Sequence, residues 1–275
     1  MVAVVTDSAA NLPGETAREL RIGIVPMYLK LGDQVYRDGA DLTPRDFYTR
    51  LAAGEEAAST STPSPGDFLA AFEEAGQQEV VCVTIASTMS GANHEASMAA
   101  ERFGGRVVVV DSMNASMGQG FVALEAARLA AQGASLDEVA ARASDVADRV
   151  ELLATVDTFE YLQRSGRVRK LQAYAATLLD IKPVFRFRGG EVSAVARPRT
   201  RARALARIVD EAVAAIGDRP AHLGVVHATA DGDGAALSAR IAERARIVDS
   251  VVVEATPVIG VHTGPGLVGA AFFCD

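Results

Sequence analysis

The segment VVCVTIASTMSGANHEASMAAERFGGRVVVVDS, residues 80–112, decides the fold class. Val80–Ile85 is an apolar, largely β-branched run of strand length, so it reads as a buried strand. Ala92–Arg102 is rich in alanine and predicts a helix. Gly104-Gly105 breaks it, and Arg106–Val110 supplies a second β-branched run. Strand, helix, strand within about thirty residues is the βαβ unit of an α/β fold.

The same alternation extends both ways. Upstream, Val2–Val5 predicts a strand ending at Thr6-Asp7-Ser8, and Ile22–Leu31 reads as extended. Thr43-Pro44 opens a helix as N-cap and N1, with Asp46 at N3, and Gly66–Ala75 is helical. Downstream, Gly120–Ala131 and Leu136–Val150 predict helices, the second opened by a Ser135–Glu138 capping box. Leu152–Val156 starts a second half with another strand, and helical stretches follow over Thr158–Arg164 and about Leu171–Leu179. Val184–Phe187 and Val192–Ala196 flank Arg188-Gly189-Gly190, a hairpin pattern. Helix Arg201–Ile216, strand His222–Val226, helix Gly234–Ala245 and strands Val251–Glu254 and Val268–Phe273 complete the chain. The expectation is an α/β protein, as one large domain or as two closely packed ones, 1–150 with a mostly parallel sheet and 151–275 with a mixed sheet. No Pro/Gly/Ser linker separates the halves, so two domains would join around Val150 and pack closely, leaving a cleft between them.

Composition excludes several classes. At 49% hydrophobic and 23% charged residues over 275 positions, the chain is neither disordered nor collagen-like. Cys82 and Cys274 rule out a disulfide scaffold and a cysteine zinc site. The N-terminus lacks a basic region and a long apolar stretch, and no apolar run reaches about 18 residues. The expectation is a cytoplasmic protein without a transmembrane segment. The net charge of -8 argues against general nucleic-acid binding. It is unevenly spread: Arg164–Arg207 holds 12 basic residues against Asp180 and Glu191, or +10, leaving -18 elsewhere. Arginine makes up 24 of the 27 basic residues, a bias that high genomic G+C content alone would produce.

Polar clusters stand at expected loop positions: Thr6-Asp7-Ser8, Thr60–Pro65, Ser87–Gly91, Asp111-Ser112 with Ser116–Gly118, and His262–Gly266. Each could merely cap a helix or form a turn. Together they offer hydroxyls and one histidine at the ends of strands, where α/β sheets gather ligands. Neither Ser90 nor Ser116 satisfies G-x-S-x-G, and no Walker loop is present. Gly118-Gln119-Gly120-Phe121-Val122-Ala123 fits a dinucleotide fingerprint, but the preceding strand ends near Val110, too early for the tight turn. No pair of the four histidines has metal-ligand spacing on a helix. Three Gly or Pro residues follow His262 closely, which suggests backbone held against a ligand or another chain. Hydroxyls, a histidine and apolar surroundings suit holding a carboxylate at the mouth of an apolar pocket. An enzyme using Ser90 or Asp7 with His262, as hydrolase or acyl/phosphoryl transferase, stays open.

Those clusters, with Val5–Ser8, Thr60–Phe68, Ser87–Gly91, Val110–Ser112, Ser116–Gly120, Phe159–Arg167, Ile181–Pro183, Thr256–Ile259 and His262–Gly266 in this order, resemble the DegV family over essentially the whole chain. Its members are bacterial fatty-acid-binding proteins that act as the lipid-carrying subunit of fatty acid kinase. The resemblance implies two α/β domains with the acyl tail in a buried apolar tunnel and the carboxylate at the domain interface. It implies carboxylate contacts on Thr60 or Ser61, Ser90 and His262, and places Arg167 near the acyl-phosphate end or on the kinase-facing surface. Catalysis would belong to the partner kinase, with no cofactor or metal in this chain and a long-chain fatty acid as ligand. A lipid-sensing regulator is the remaining alternative. Ala86 and Ala92 stand where the family has Ser and Thr, and Ser165-Gly166-Arg167 replaces its usual G-G-R. The basic window then reads as a docking face for an acidic kinase surface, carried by Arg199, Arg201 and Arg203.

Overall fold

The βαβ reading of residues 80–112 holds in the computed structural model, which describes residues 1–54, 57–76, 78–166 and 181–275. Strands Glu79–Thr84 and Val107–Asp111 pair in parallel from Val80↔Val107 to Thr84↔Asp111, and helix Ala92–Ala100 crosses between them. In chain order the strands are β1 Val2–Asp7, β2 Gly23–Val25, β3 Tyr28–Leu31, β4 Gln34–Arg37, β5 Ala57–Ser61, β6 Glu79–Thr84 and β7 Val107–Asp111. They continue with β8 Glu151–Thr155, β9 Val184–Arg188, β10 Glu191–Ala196, β11 Ala221–His227, β12 Ile247–Glu254 and β13 Val268–Cys274.

Among the described residues these strands form three sheets. The first is parallel throughout, in the order β2-β1-β6-β7. Helices Pro65–Glu74 and Ala92–Ala100 cover one face, and Met117–Ala131 and Leu136–Arg149 the other. The second is mixed, in the order β10-β9-β8-β13-β11-β12, with only β11 and β12 parallel. Helix Met117–Ala131 lies between these sheets, buried from Met117 to Ala127 and again at Ala130. A helix apolar on nearly every side can only be a core helix. Its buried Gln119 donates to Thr6 Oγ1 at 3.0 Å, and Glu125 is met by Arg128 and Arg142.

Alternation along the strands gives the mixed sheet two apolar faces. Leu153, Val184, Leu223, Val225 and Phe272 lie in the core beneath helices Arg201–Ile216 and Asp231–Ala242. Leu152, Ala154, Phe185, Phe187 and Val226 point the other way, toward the first half of the chain. The site lies on that second face.

The third sheet, β4-β3-β5, is antiparallel and small. The expected single extended stretch Ile22–Leu31 is divided at Pro26, which has no N–H for a ladder, and β2 and β3 join different sheets. Pro257–Thr263, expected as an apolar run leading to a loop, is instead a helix that packs on β5, β3 and helix Pro44–Ala52. Pro257 occupies its first turn, where a missing N–H costs nothing. The expected helix at Leu171–Leu179 falls outside the described residues. No helix among the described residues is long and apolar enough to cross a membrane.

Candidate functional site

The inner face of the mixed sheet does not close against the first half everywhere. Between them is a cavity of about 1080 Å³, its open mouth included. Leu152, Ala154, Phe185, Phe187, Val192 and Val226 form its floor; Ala9, Ile85, Met89, Ala115 and Val258 roof it. Its hydroxyl and imidazole groups come from Thr60, Ser61, Thr62, Ser90, Ser116, His262 and Thr263. Three separate elements carry the expected head-group residues: β5, the loop between β6 and helix Ala92–Ala100, and helix Pro257–Thr263.

Thr60 and His262, 202 positions apart in sequence, are joined by a 2.8 Å bond between Oγ1 and Nε2. Thr60 pairs across the ladder with the buried Leu29, which directs it inward, while its neighbour Ser61 is exposed and also borders the cavity. Of the two expected positions, Thr60 is the one that bonds His262. With the ring hydrogen on Nε2, His262 donates to Thr60 Oγ1 and the threonine O–H is left to donate into the cavity. Ser90 Oγ accepts the N–H of Ala92 at 3.3 Å, so its own hydrogen is likewise available to a ligand.

The helix bearing His262 is fixed by close packing. A side chain at Gly260 would meet Phe47 and the Tyr48 hydroxyl at 2.6 Å, so glycine lets the helix settle on Pro44–Ala52. Gly264 ends the helix at φ +71, and a Cβ there would lie 2.3 Å from the Tyr161 ring. The Gly/Pro run after His262 thus serves a close approach within the chain. At the other end of the helix, Asp38 Oδ1 accepts the N–H of Val258 at 3.1 Å. Burial pushes the Asp38 carboxyl up to about 6, partly opposed by the Ser8 and Thr256 hydroxyls and the Val258 N–H.

The enzyme arrangement using Asp7 is not formed. Asp7 is fully buried, with Oδ1 accepting from Ala9 N at 3.0 Å and Oδ2 from Ile85 N at 2.8 Å. Its carboxylate thus ties the end of β1 to the end of β6 and does not orient His262. Desolvation raises it to about 6 against the pull of Gln119 and these N–H groups. Asp111 and Ser112 are likewise occupied with the local turn, accepting the N–H groups of Met113 and Asn114.

Arg167 lies outside the described residues. In the basic window, Lys182, Arg186, Arg188, Arg201 and Arg207 all pair with acids, among them Glu151, Asp157, Glu211 and Asp233. Arg201 is a structural tie: it bonds Asp157 at 3.0 Å, Asp233 at 2.6 Å and the Gly266 carbonyl, which removes it from the expected docking set. Arg199 and Arg203 are exposed. Thr62 and Thr263 belong to the polar clusters seen in the sequence but had no contact assigned to them, and the apolar floor on β8–β11 was not foreseen. Among the described residues no group of three His, Cys, Asp or Glu could hold a metal.

Known proteins share this architecture. The family model described as "Uncharacterised protein, DegV family" matches residues 1–275. A DegV domain-containing protein of Mycobacterium tuberculosis is 36% identical over 273 residues, covering 98% of this chain and 95% of the relative. One from Deinococcus radiodurans is 35% identical over 276 residues, covering 98% and 97%. Among solved structures, "Fatty Acid Binding of a DegV family Protein from Thermus thermophilus" superposes with TM-score 0.94 at 32% identity, covering 100% of this chain and 99% of that one. "DegV, a fatty acid binding protein from Bacillus subtilis" gives TM-score 0.85 at 29% identity, with 100% and 99% covered. From its first residue to its last, this chain belongs to the DegV family.

Proposed function

We propose that this protein binds a long-chain fatty acid, with the tail in the cavity between the sheets and the carboxylate at Thr60, Ser90 and His262. The observation that carries this is an apolar cavity to which three separate elements bring Thr60, Ser90 and His262, two of them joined by the Thr60–His262 bond. The fatty-acid binding described for the Thermus thermophilus and Bacillus subtilis relatives supports it.

The dimensions agree with the chemistry. The floor spans strands β10 to β11, four strand steps of about 4.8 Å, or roughly 19 Å. An extended alkyl chain advances about 1.25 Å per carbon, so roughly fifteen carbons fit along that line. Burying them contributes on the order of 12 kcal/mol before the costs of ordering and association. The head group then has only to keep a buried carboxylate hydrogen-bonded. Neutral donors do this without the grip of an arginine clamp, which suits a carboxylate that is converted to acyl phosphate and released.

We further propose that the protein presents this carboxylate to a separate ATP-dependent fatty acid kinase, from a cytoplasmic location, and performs no catalysis itself. The division into domains 1–150 and 151–275 is part of the same reading, the Pro257–Thr263 helix being where the second lodges against the first. Adding a matched kinase and ATP to the lipid-loaded protein tests the presentation step. Acyl phosphate should form only when both proteins are present; its absence with a kinase active on another carrier refutes that step and leaves lipid sensing.

A further inference from the structure

We propose that Ala154 and Met117 determine which acyl chains the cavity accepts, Ala154 as its floor and Met117 as its stop; this rests on the fatty-acid reading above. The strand register arranges inner-face side chains in rows that cross the mixed sheet. One row runs Phe185, Ala154, Gly269, Val226. The next, two residues along the strands, runs Phe187, Leu152, Ala271, Gly224. The third includes Phe273 and His222.

These rows fill progressively. In the first, a methyl and a hydrogen stand between the bulk of Phe185 and Val226, which leaves a trough across β8 and β13. Both larger neighbours and Ala154 line the cavity. In the second, Leu152 narrows the trough, and the space above Gly224 belongs to Met117. A Cβ at Gly224 would stand 2.9 Å from Met117 Cβ and 3.1 Å from its Cε. The third row is closed, with His222 stacked on Phe273 at 4.6 Å and Phe121 meeting that ring edge-on at 5.3 Å. Ala115 and Ser116, immediately before Met117, still line the cavity. A chain therefore has room over Ala154 and meets its limit where helix Met117–Ala131 presents Met117 to Gly224. Gly269 is unsuitable for enlargement, because a Cβ there would crowd Ala154 and the Leu153 carbonyl at 3.0 Å.

The test is competition among saturated acids of 14, 16, 18 and 20 carbons, offered in equal amounts to delipidated protein and read by mass spectrometry of the retained lipid. Ala154→Leu inserts three carbons into the trough and should shift retention toward the shorter acids, changing the 14-to-18 ratio by at least about 10-fold. Met117→Ala should shift it toward 20 carbons. Ala154→Val, with a smaller shift in the same direction, replaces the leucine variant if that one lacks a cooperative melting transition. Thr60→Val serves as the head-group control and should weaken all lengths alike. Unchanged ratios in folded Ala154 and Met117 variants would overturn the assignment while leaving fatty-acid binding intact. Failure of the unsubstituted protein to retain any acid would overturn both.

Discussion

Asp38→Asn separates the charge beneath the His262 helix from the hydrogen bond that holds it. An asparagine Oδ1 can still accept the Val258 N–H, so the bond at 3.1 Å survives while the ionisable group is lost. In the native protein the Asp38 carboxyl is pushed from the ordinary 3.8 up to about 6 by burial, with the Asp7 charge adding to the shift. Because the folded form holds its proton more tightly than the unfolded chain, the native state binds more protons between those values, and stability falls as pH rises through that window. At about 1.4 kcal/mol per pH unit the interval is worth about 3 kcal/mol. That cost is absent near pH 4 and complete near pH 7. Asparagine does not have it, so the stability of the variant relative to native protein should improve by about 3 kcal/mol between pH 4 and pH 7. For a chain of this size that is roughly 6–12 °C in relative Tm. Paired melting curves at half-unit pH steps, on delipidated protein, give the difference directly, and any pH-independent effect of the amide cancels. Parallel curves for the two proteins across the window would refute the buried-charge reasoning.

Thr60→Val removes a hydroxyl without changing shape, and His262→Ala removes its partner. Each should weaken retention of a long-chain acid about 10–100-fold, while retention of the matching methyl ester changes less. Arg199→Glu with Arg203→Glu should reduce acyl-phosphate formation with the kinase, more so at low salt, and leave lipid retention as it was. Equal rates across salt and substitution would show that these arginines form no docking face. Gly264→Ala should lower Tm markedly, since a side chain at φ +71 also enters the Tyr161 ring; an unchanged Tm would contradict that packing.

The sequence was most informative where local pattern and tertiary role agree. The run of valines at Val107–Val110, the Ser135–Glu138 capping box and the Gly189-Gly190 turn each act within a few residues, and each element formed as expected. The small sheet was hidden because Ala57–Ser61 has neither an apolar alternation nor a β-branched core, and it forms through pairing with β3. The Pro257–Thr263 helix was hidden for the opposite reason: Val258, Ile259 and Val261 favour extended structure, and packing against Phe47 and Tyr48 overrides them. The residues expected to contact a carboxylate, Thr60, Ser61, Ser90 and His262, were legible through family motifs and all border the cavity, whereas the Thr60–His262 bond could be seen only once β5 and helix Pro257–Thr263 were in place. The ion pairs within the charge window were not legible because their partners are distant in sequence: Glu151 meets Arg188, and Asp157 and Asp233 meet Arg201. Five of the twelve basic residues in the window, Lys182, Arg186, Arg188, Arg201 and Arg207, are paired with acids.

A cavity that holds a fatty acid by its tail, with Thr60 and His262 at the carboxylate, should carry lipid through purification. Mass spectrometry of the lipid extracted from protein purified without added lipid tests it most directly. About one long-chain fatty acid per chain is expected, replaceable by an added acid and depleted in the Thr60→Val, His262→Ala double variant. Protein free of fatty acid, and unable to take one up after delipidation, would contradict it.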